Sequence, residues 1–300
     1  MSDYLKELQE IKPTKDYLVA IDSDGCVFDA MGIKQRECFC PMMIAYFGLQ
    51  PVAEAARECK EFADLFSKSR GANRHKTIAR ILTELLPSHP MVRERDFEVP
   101  QFPHYVKWVN DPASLLSDEG LKRVINETEG PAKEEFKTAL QWSVRVNEMV
   151  AEIVKDVPPF PHVRESLAKI VEQADIIVCS STPVEALLRE WAEHDVEKYT
   201  LFVAGQEMGS KAEHLAAMTE KYDNNKILMM GDALGDQNAA EANAAMFYPI
   251  NPGHEAESWK RFHDEAFDKF LENSYAGDFQ VKIINEFSSY LPNTPSWMKK

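Results

Sequence analysis

The chain has 300 residues, of which 44% are hydrophobic and 28% charged, enough to bury the core of one large domain or two modest ones. A formal net charge of −15 provides no basic surface for a polyanion, so nucleic acid is not an expected partner. The five cysteines are odd in number and form no CxxC pair. This pattern excludes a disulfide framework and a zinc cluster.

The N-terminal residues are charged and do not contain the apolar run of a signal peptide. The apolar stretches elsewhere are only as long as strands, so no membrane contact is expected. Free cysteines and the absence of a targeting signal together predict a cytoplasmic location.

The first predicted element is the strand Tyr17–Ile21, an apolar run that ends in the polar sequence Asp-Ser-Asp-Gly at 22–25. From about residue 31 to residue 155 the apolar side chains keep helical spacing, and no comparable strand run occurs. One of these helices is predicted to end at Gly71 and the next at Pro87. Gly130 followed by a proline is predicted to open a long helix.

After a proline-rich break at 158–161, short apolar runs alternate with helical segments. The predicted strands are 176–179, 201–204, 227–230 and 246–250, and the predicted helices begin at Pro183 or cover 211–222 and 236–244. Alternation of this kind implies right-handed crossovers and a parallel sheet. The predicted fold class is therefore α/β. Residues 1–30 and 156–300 form a Rossmann-like core, and 31–155 form an inserted all-helical domain. The segment beyond Asn251 is predicted to be helical, with no function assigned.

Polar residues follow three of the predicted strands directly, and parallel strands end at the same edge of a sheet. A lysine stands at the start of a helix after a fourth strand. The residues concerned are Asp22 and Asp24, then Ser180, Ser181 and Thr182, then Asp232 and Asp236, with Lys211 as the lysine. These side chains are expected to converge on one site.

Four carboxylates in one place repel each other and require a cation. Oxygen ligands without histidine or cysteine favour a hard ion, and Mg²⁺ suits a site that also holds phosphate. Lys211 and the donors at 180–182 supply the parts of an anion cradle. An aspartate beside Mg²⁺ can attack phosphorus, and a second carboxyl group two residues later can protonate the leaving oxygen.

In this order, the four motifs resemble those of the haloacid dehalogenase superfamily of phosphohydrolases, over roughly residues 16–30 and 157–251. The insertion resembles the helical cap of that family's first cap class, placed above the carboxyl edge of the sheet. The resemblance implies the following roles: Asp22 as nucleophile, Asp24 as acid and base, Ser180 and Lys211 on the phosphoryl group, and Asp22, Asp232 and the backbone carbonyl of Asp24 on the metal with Asp236 in support.

Two further points follow from this resemblance. Cys26 stands where the family usually has threonine or valine, and it is expected to be a small packed residue. Members that cleave carbon–halogen bonds lack an acid at the position of Asp24, so its presence favours phosphorus chemistry.

The remaining candidates for substrate binding are Ser181 and three residues of a basic corner in the helical insertion, Arg70, Arg74 and His75. The corner is either a loop that recognises a second anionic group of the substrate or a solvated turn. Trp142 and Trp191 are interpreted as packing residues.

The leading hypothesis is a phosphatase acting on a small phosphorylated metabolite. A phosphomutase with the same aspartyl-phosphate and a non-catalytic binding protein are the alternatives. Both a monomer and a homodimer are compatible with the sequence.

Overall fold

The computed structural model describes residues 3–299, which form two compact units. One unit contains the chain up to Met31 together with Asp156–Leu291, and it holds the sheet. The other contains Gly32–Lys155 and the residues from Pro292 onwards. Residues 1 and 300, the outermost predicted domain limits, lie outside the described residues.

The sheet of the first unit has five parallel strands in the order β3-β2-β1-β4-β5. Their bounds are β1 Tyr17–Ile21, β2 Ala174–Cys179, β3 Phe202–Ala204, β4 Ile227–Gly231 and β5 Met246–Pro249. Every residue of β2, β4 and β5 is buried, because helices pack against the sheet. The predicted α/β class and the predicted strands are confirmed, with ends shifted by up to two residues.

Helices connect these strands. Within this unit the α-helices are Asp3–Glu10, Val163–Gln173, Val184–Glu193, Lys211–Thr219, Leu234–Ala242, Glu255–Arg261, Phe267–Leu271 and Asp278–Tyr290, with a π-helical turn at Phe262–Ala266 and 3₁₀ turns at Glu197–Tyr199, Gln206–Met208 and Asn224–Lys226.

The segment beyond Asn251 is helical, as predicted, and packs beside β5. Phe287 contacts Phe247 edge to face at 5.8 Å, and the Tyr275 hydroxyl donates to the Phe247 carbonyl at 2.6 Å. Arg261 forms a bidentate ion pair with Glu286, which links the helices Glu255–Arg261 and Asp278–Tyr290.

The second unit consists of helices around its own buried core. The helix Ala30–Ile33 begins in the first unit and continues into the second as the π-helical stretch Lys34–Phe39 and the α-helix Cys40–Tyr46. The other helices of the second unit are Gln50–Val52 (3₁₀), Ala53–Leu65, Arg74–Arg80 continuing through Ile81–Leu85 (π) into Leu86–Ser88, then Pro90–Glu94, Pro103–Asn110, Asp118–Glu127, Pro131–Ile153 and Ser296–Met298 (3₁₀). The long helix predicted to follow Gly130 is confirmed.

One predicted helix end in this unit is wrong, and another is shifted by one residue. The helix before Gly71 stops at Leu65, and Gly71 lies in the turn that follows, where its φ of 75° suits a glycine. Pro87 lies inside a helix that continues to Ser88. It is tolerated because the preceding π-helical turn already departs from the hydrogen-bond pattern that a proline interrupts.

Among residues 3–299, no helix combines the length and the apolar character needed to cross a bilayer.

Candidate active site

The carboxyl ends of β1 and β4 meet where the strand order reverses, the position at which open parallel sheets bind ligands. Ile21 pairs with Met230, so Asp22, which directly follows β1, and Asp232, which directly follows β4, lie at the same edge. Oxygens of Asp22, Asp232 and Asp236 all lie within 4.8 Å of one another, and the three residues are at most 5% exposed. The structure thus brings together three of the predicted carboxylates.

Lys211 lies within the same cluster. Its Nζ is 2.7 Å from Asp22 Oδ2 and 2.6 Å from Asp236 Oδ1. The residue begins the helix Lys211–Thr219, whose N-terminus is fixed by reciprocal hydrogen bonds between Ser210 and Glu213. The helix start therefore holds the ammonium group against the nucleophile candidate.

Negative charge exceeds positive charge in this cluster. Burial raises the pKa of Asp22, Lys211 opposes that rise, and the charges of Asp236 and Asp232 add to it. Burial lowers the pKa of Lys211, but the charges of Asp22 and Asp236 outweigh it, so the ammonium stays protonated. Three carboxylates against one ammonium favour the binding of a further cation.

The surroundings of Gly231 explain why the Gly-Asp-x-x-x-Asp motif begins with a glycine. A Cβ at this position would lie 2.3 Å from Asp236 Cγ, which no real side chain tolerates. Asp236 also accepts a hydrogen bond from the Ala233 amide at 3.1 Å through Oδ2. The absence of a side chain at Gly231 lets Asp236 fold back onto the strand end, where it meets Lys211.

Asp24 follows the cluster residue Asp22 by two positions and is partly exposed. The Thr182 hydroxyl donates to Asp24 Oδ2 at 3.2 Å. Sequence reasoning placed Thr182 in the anion cradle and missed this contact, because no spacing links residues 158 positions apart; its place after a strand end was the available signal. Ser180 is buried and its Oγ accepts from the Thr182 amide, whereas Ser181 is exposed.

The donor set fits a hard divalent cation. It contains only carboxylate oxygens, it is buried, and its spacing lets several oxygens reach one ion. Both oxygens of Asp236 are already engaged, by Lys211 and by the Ala233 amide. Both oxygens of Asp22 are engaged as well, by the Ser23 amide and by Lys211, so the division into metal ligands and supporting residues stays a prediction.

Cys26 is fully buried, and burial raises the pKa of its thiol well above the ordinary value. The expectation that it is a small packed residue is confirmed.

The basic corner lies in the helical unit, and most of it is not solvated. Arg70 is 6% exposed and donates to the Leu65 carbonyl. Arg74 donates to Ser143 and to Asn147. Burial makes a solvated turn the wrong interpretation for Arg70 and His75, and substrate contact by the three residues stays a prediction.

His75 and His214 are buried imidazoles, 1% and 0% exposed. Burial lowers the pKa of each from 6.5 to about 4; the charge of Arg74 adds to the effect at His75. An unfolded chain binds these protons below pH 6.5, but the folded chain does not until about pH 4. The stability that neutral imidazoles preserve is therefore complete above pH 6.5 and is lost as the pH falls towards 4.

We expect each histidine to remove roughly 3 kcal/mol of unfolding free energy across that window, since one pKa unit corresponds to about 1.36 kcal/mol. Urea unfolding at neutral pH and at about pH 4 measures the loss. His75→Gln and His214→Gln should each make the unfolding free energy less dependent on pH, by the roughly 3 kcal/mol expected of one histidine. The same pH dependence in the wild type and both variants would contradict the assignment.

No protein-family model matches the chain, and no curated protein matches its sequence. Solved structures do match. A protein from Lactobacillus delbrueckii subsp. bulgaricus, named as a phosphoglycolate phosphatase, is 13% identical, with a TM-score of 0.51 over 88% of this chain and 100% of its own. A haloacid dehalogenase-like family hydrolase from Streptococcus pneumoniae is 11% identical, with a TM-score of 0.42 over 90% of this chain and 98% of its own.

At these identities the likeness concerns the fold. The chain shares the fold of the Lactobacillus delbrueckii protein, and the resemblance predicted from the four motifs is confirmed at the level of the fold. The helical cap of the first class stays a prediction.

Proposed function

We propose that this protein is a phosphatase that hydrolyses a small phosphate monoester through an aspartyl-phosphate on Asp22. The observation that carries the proposal is the buried cluster in which Lys211 bridges Asp22 and Asp236 beside Asp232, at the carboxyl edge of the sheet. A carboxylate held next to an ammonium and a cation site has what a nucleophile towards phosphorus requires.

Each protein group has a defined task in this proposal. One oxygen of Asp22 attacks phosphorus and takes the phosphoryl group, while Asp24 gives its proton to the leaving oxygen. Asp24, now a carboxylate, removes a proton from water, which attacks the aspartyl-phosphate and releases inorganic phosphate. Lys211 and the donors around Ser180 offset charge on the phosphoryl oxygens. Thr182 keeps the Asp24 carboxyl group oriented.

We propose Mg²⁺ as the cation, held by Asp22, Asp232 and the backbone carbonyl of Asp24. When bound, it would neutralise carboxylate charge and polarise the phosphoryl group. Asp236 would support the site through Lys211 rather than as a direct ligand.

We further propose that residues 31–155 form an inserted cap domain of a cytoplasmic enzyme. The chain leaves the α/β unit after Met31 and rejoins it at Asp156, which is the organisation expected of an insertion.

Phosphate release from p-nitrophenyl phosphate tests the function. We expect turnover with Mg²⁺, none after thorough EDTA treatment, and recovery when Mg²⁺ is restored. Ca²⁺ should not support turnover, because it takes six to eight oxygens at longer distances than the octahedral Mg²⁺ shell. Full activity in EDTA would contradict the metal assignment, and no phosphate release from a panel of phosphorylated metabolites would contradict the function.

A further inference from the structure

Two buried tryptophans direct their indole N–H groups at the loop that carries Asp22 and Asp24. Trp191 Nε1 donates to Ser23 Oγ at 3.0 Å, and Trp259 Nε1 donates to the Cys26 carbonyl at 2.8 Å. Both rings are fully buried. Resting on the proposed function, we propose that this pair, the indole clamp, positions the nucleophile and the acid for phosphoryl transfer.

Ser23 is the centre of the loop. Its amide donates to Asp22 Oδ1 at 2.8 Å and so orients the nucleophile candidate. Its carbonyl accepts from the amides of Cys26, Val27 and Phe28, which closes the turn. Since Ser23 stands between Asp22 and Asp24 in the chain, a shift of its backbone moves both carboxyl groups.

The Ser23 hydroxyl reaches a different element. It accepts from Trp191 and donates to Glu190 Oε2 at 3.1 Å, two neighbours on the helix Val184–Glu193. The same helix follows the segment whose Thr182 holds Asp24. The loop after β1 is therefore held by a residue just before this helix and by two residues near its C-terminal end.

Trp259 attaches the far side of the loop. It lies on the helix Glu255–Arg261, in the segment beyond Asn251 for which the sequence suggested no function. Its indole N–H meets a carbonyl two residues after Asp24. We therefore assign the C-terminal segment a part in the catalytic apparatus in addition to its packing beside β5.

These contacts are positional, because neither ring belongs to the cluster of Asp22, Lys211, Asp232 and Asp236. Their loss should lower kcat, which depends on the alignment of the attacking and proton-donating groups, more than it changes KM. A misplacement of about 1 Å at reacting groups costs about 100-fold in rate.

The experiment replaces each indole by a ring with or without an N–H donor. Trp191→Phe and Trp259→Phe remove the donor, whereas Trp191→His and Trp259→His keep one, since histidine Nε2 occupies the ring position of tryptophan Nε1. We expect kcat for p-nitrophenyl phosphate to fall about 10- to 100-fold in the Phe variants, with KM within about threefold. The His variants should retain more kcat than the Phe variants. A role in apolar packing alone predicts the reverse order.

Trp142→Phe is the matched control. Trp142 is fully buried in the helical unit, and among the described residues its Nε1 has no hydrogen-bond partner. Its replacement removes the same atoms without breaking a hydrogen bond, so kcat should stay within about twofold of the wild type.

Ser23→Ala removes the hydroxyl that accepts from Trp191 and leaves the indole ring in place. This variant tests the proposal if a Phe variant does not unfold cooperatively. Because it also removes the hydrogen bond to Glu190, it should lower kcat at least as much as Trp191→Phe does, and the double variant should lose no more than Ser23→Ala alone. Wild-type kcat in both Phe variants, or His variants no better than Phe variants, would overturn the clamp alone. A wild-type protein that releases no phosphate would overturn the proposed function and, with it, the clamp's role in catalysis.

Discussion

Asp22→Asn is expected to abolish phosphate release while the protein stays folded. The amide is nearly isosteric with the carboxylate, and it can still accept from the Ser23 amide through its oxygen. It is a poor nucleophile, however, and it removes the charge that pairs with Lys211 at 2.7 Å. The measurement is single-turnover phosphate release together with mass spectrometry of acid-quenched protein, in which only the wild type should gain one phosphoryl group.

A matched aspartate separates loss of the nucleophile from loss of a charge. Asp223→Asn changes an exposed residue that pairs with Lys226 at the surface, and it should keep wild-type kcat. Near-normal turnover in a pure Asp22→Asn preparation would rule out the covalent mechanism.

Asp24→Asn is expected to lower kcat by about 10² to 10⁴, the usual contribution of a general acid and base. Both the leaving oxygen and the attacking water lose their proton carrier, so phosphoenzyme should accumulate with substrates whose leaving group needs little protonation. Quenched-flow measurement of phosphoenzyme and free phosphate distinguishes the two half-reactions. A loss of similar size in KM instead of kcat would show that Asp24 binds substrate and does not transfer protons.

Thr182, whose hydroxyl contacts Asp24, provides the test of how the Asp24 carboxyl group is oriented. Thr182→Val removes the hydroxyl that donates to Asp24 Oδ2, and Thr182→Ser keeps it. We expect the Val variant to lose part of the rate that Asp24→Asn loses, and the Ser variant to retain most of it. Equal rates in the two variants would contradict an orienting role for the hydroxyl.

The sequence by itself determined the sheet and the location of the cluster. Strands that are buried on both faces appear in the sequence as unbroken apolar runs. The polar residues that follow these runs lie at the carboxyl edge of the sheet, however the helices pack against it. Tyr17–Ile21 and the residues at 22–25 illustrate this, since the predicted strand bounds match the structure and Asp22 lies in the cluster. The glycine of the Gly-Asp motif also has a local cause, its closeness to Asp236.

Helix ends in the second unit were harder to predict because the relevant signals compete. A proline normally ends a helix, but the π-helical turn before Pro87 removes the conflict, and nothing in the local residue types announces such a turn. The basic corner misleads for a similar reason. Its residue type predicts that Arg70 is solvated. In the structure its side chain is buried, and its guanidinium group donates to the Leu65 carbonyl of the same unit.

Only the tertiary structure decided which distant side chains hold the catalytic loop. By residue type and spacing Trp191 is a packing residue, and no pattern in the sequence marks Trp259. Their hydrogen bonds join partners that are 168 and 233 positions apart in the chain, and such contacts follow from the packing of elements and leave no periodic pattern in the sequence. Composition and spacing report burial, which both tryptophans share with Trp142. The direction of an indole N–H is set by how its helix packs against the neighbouring elements, so the difference between these three residues exists only in the folded chain.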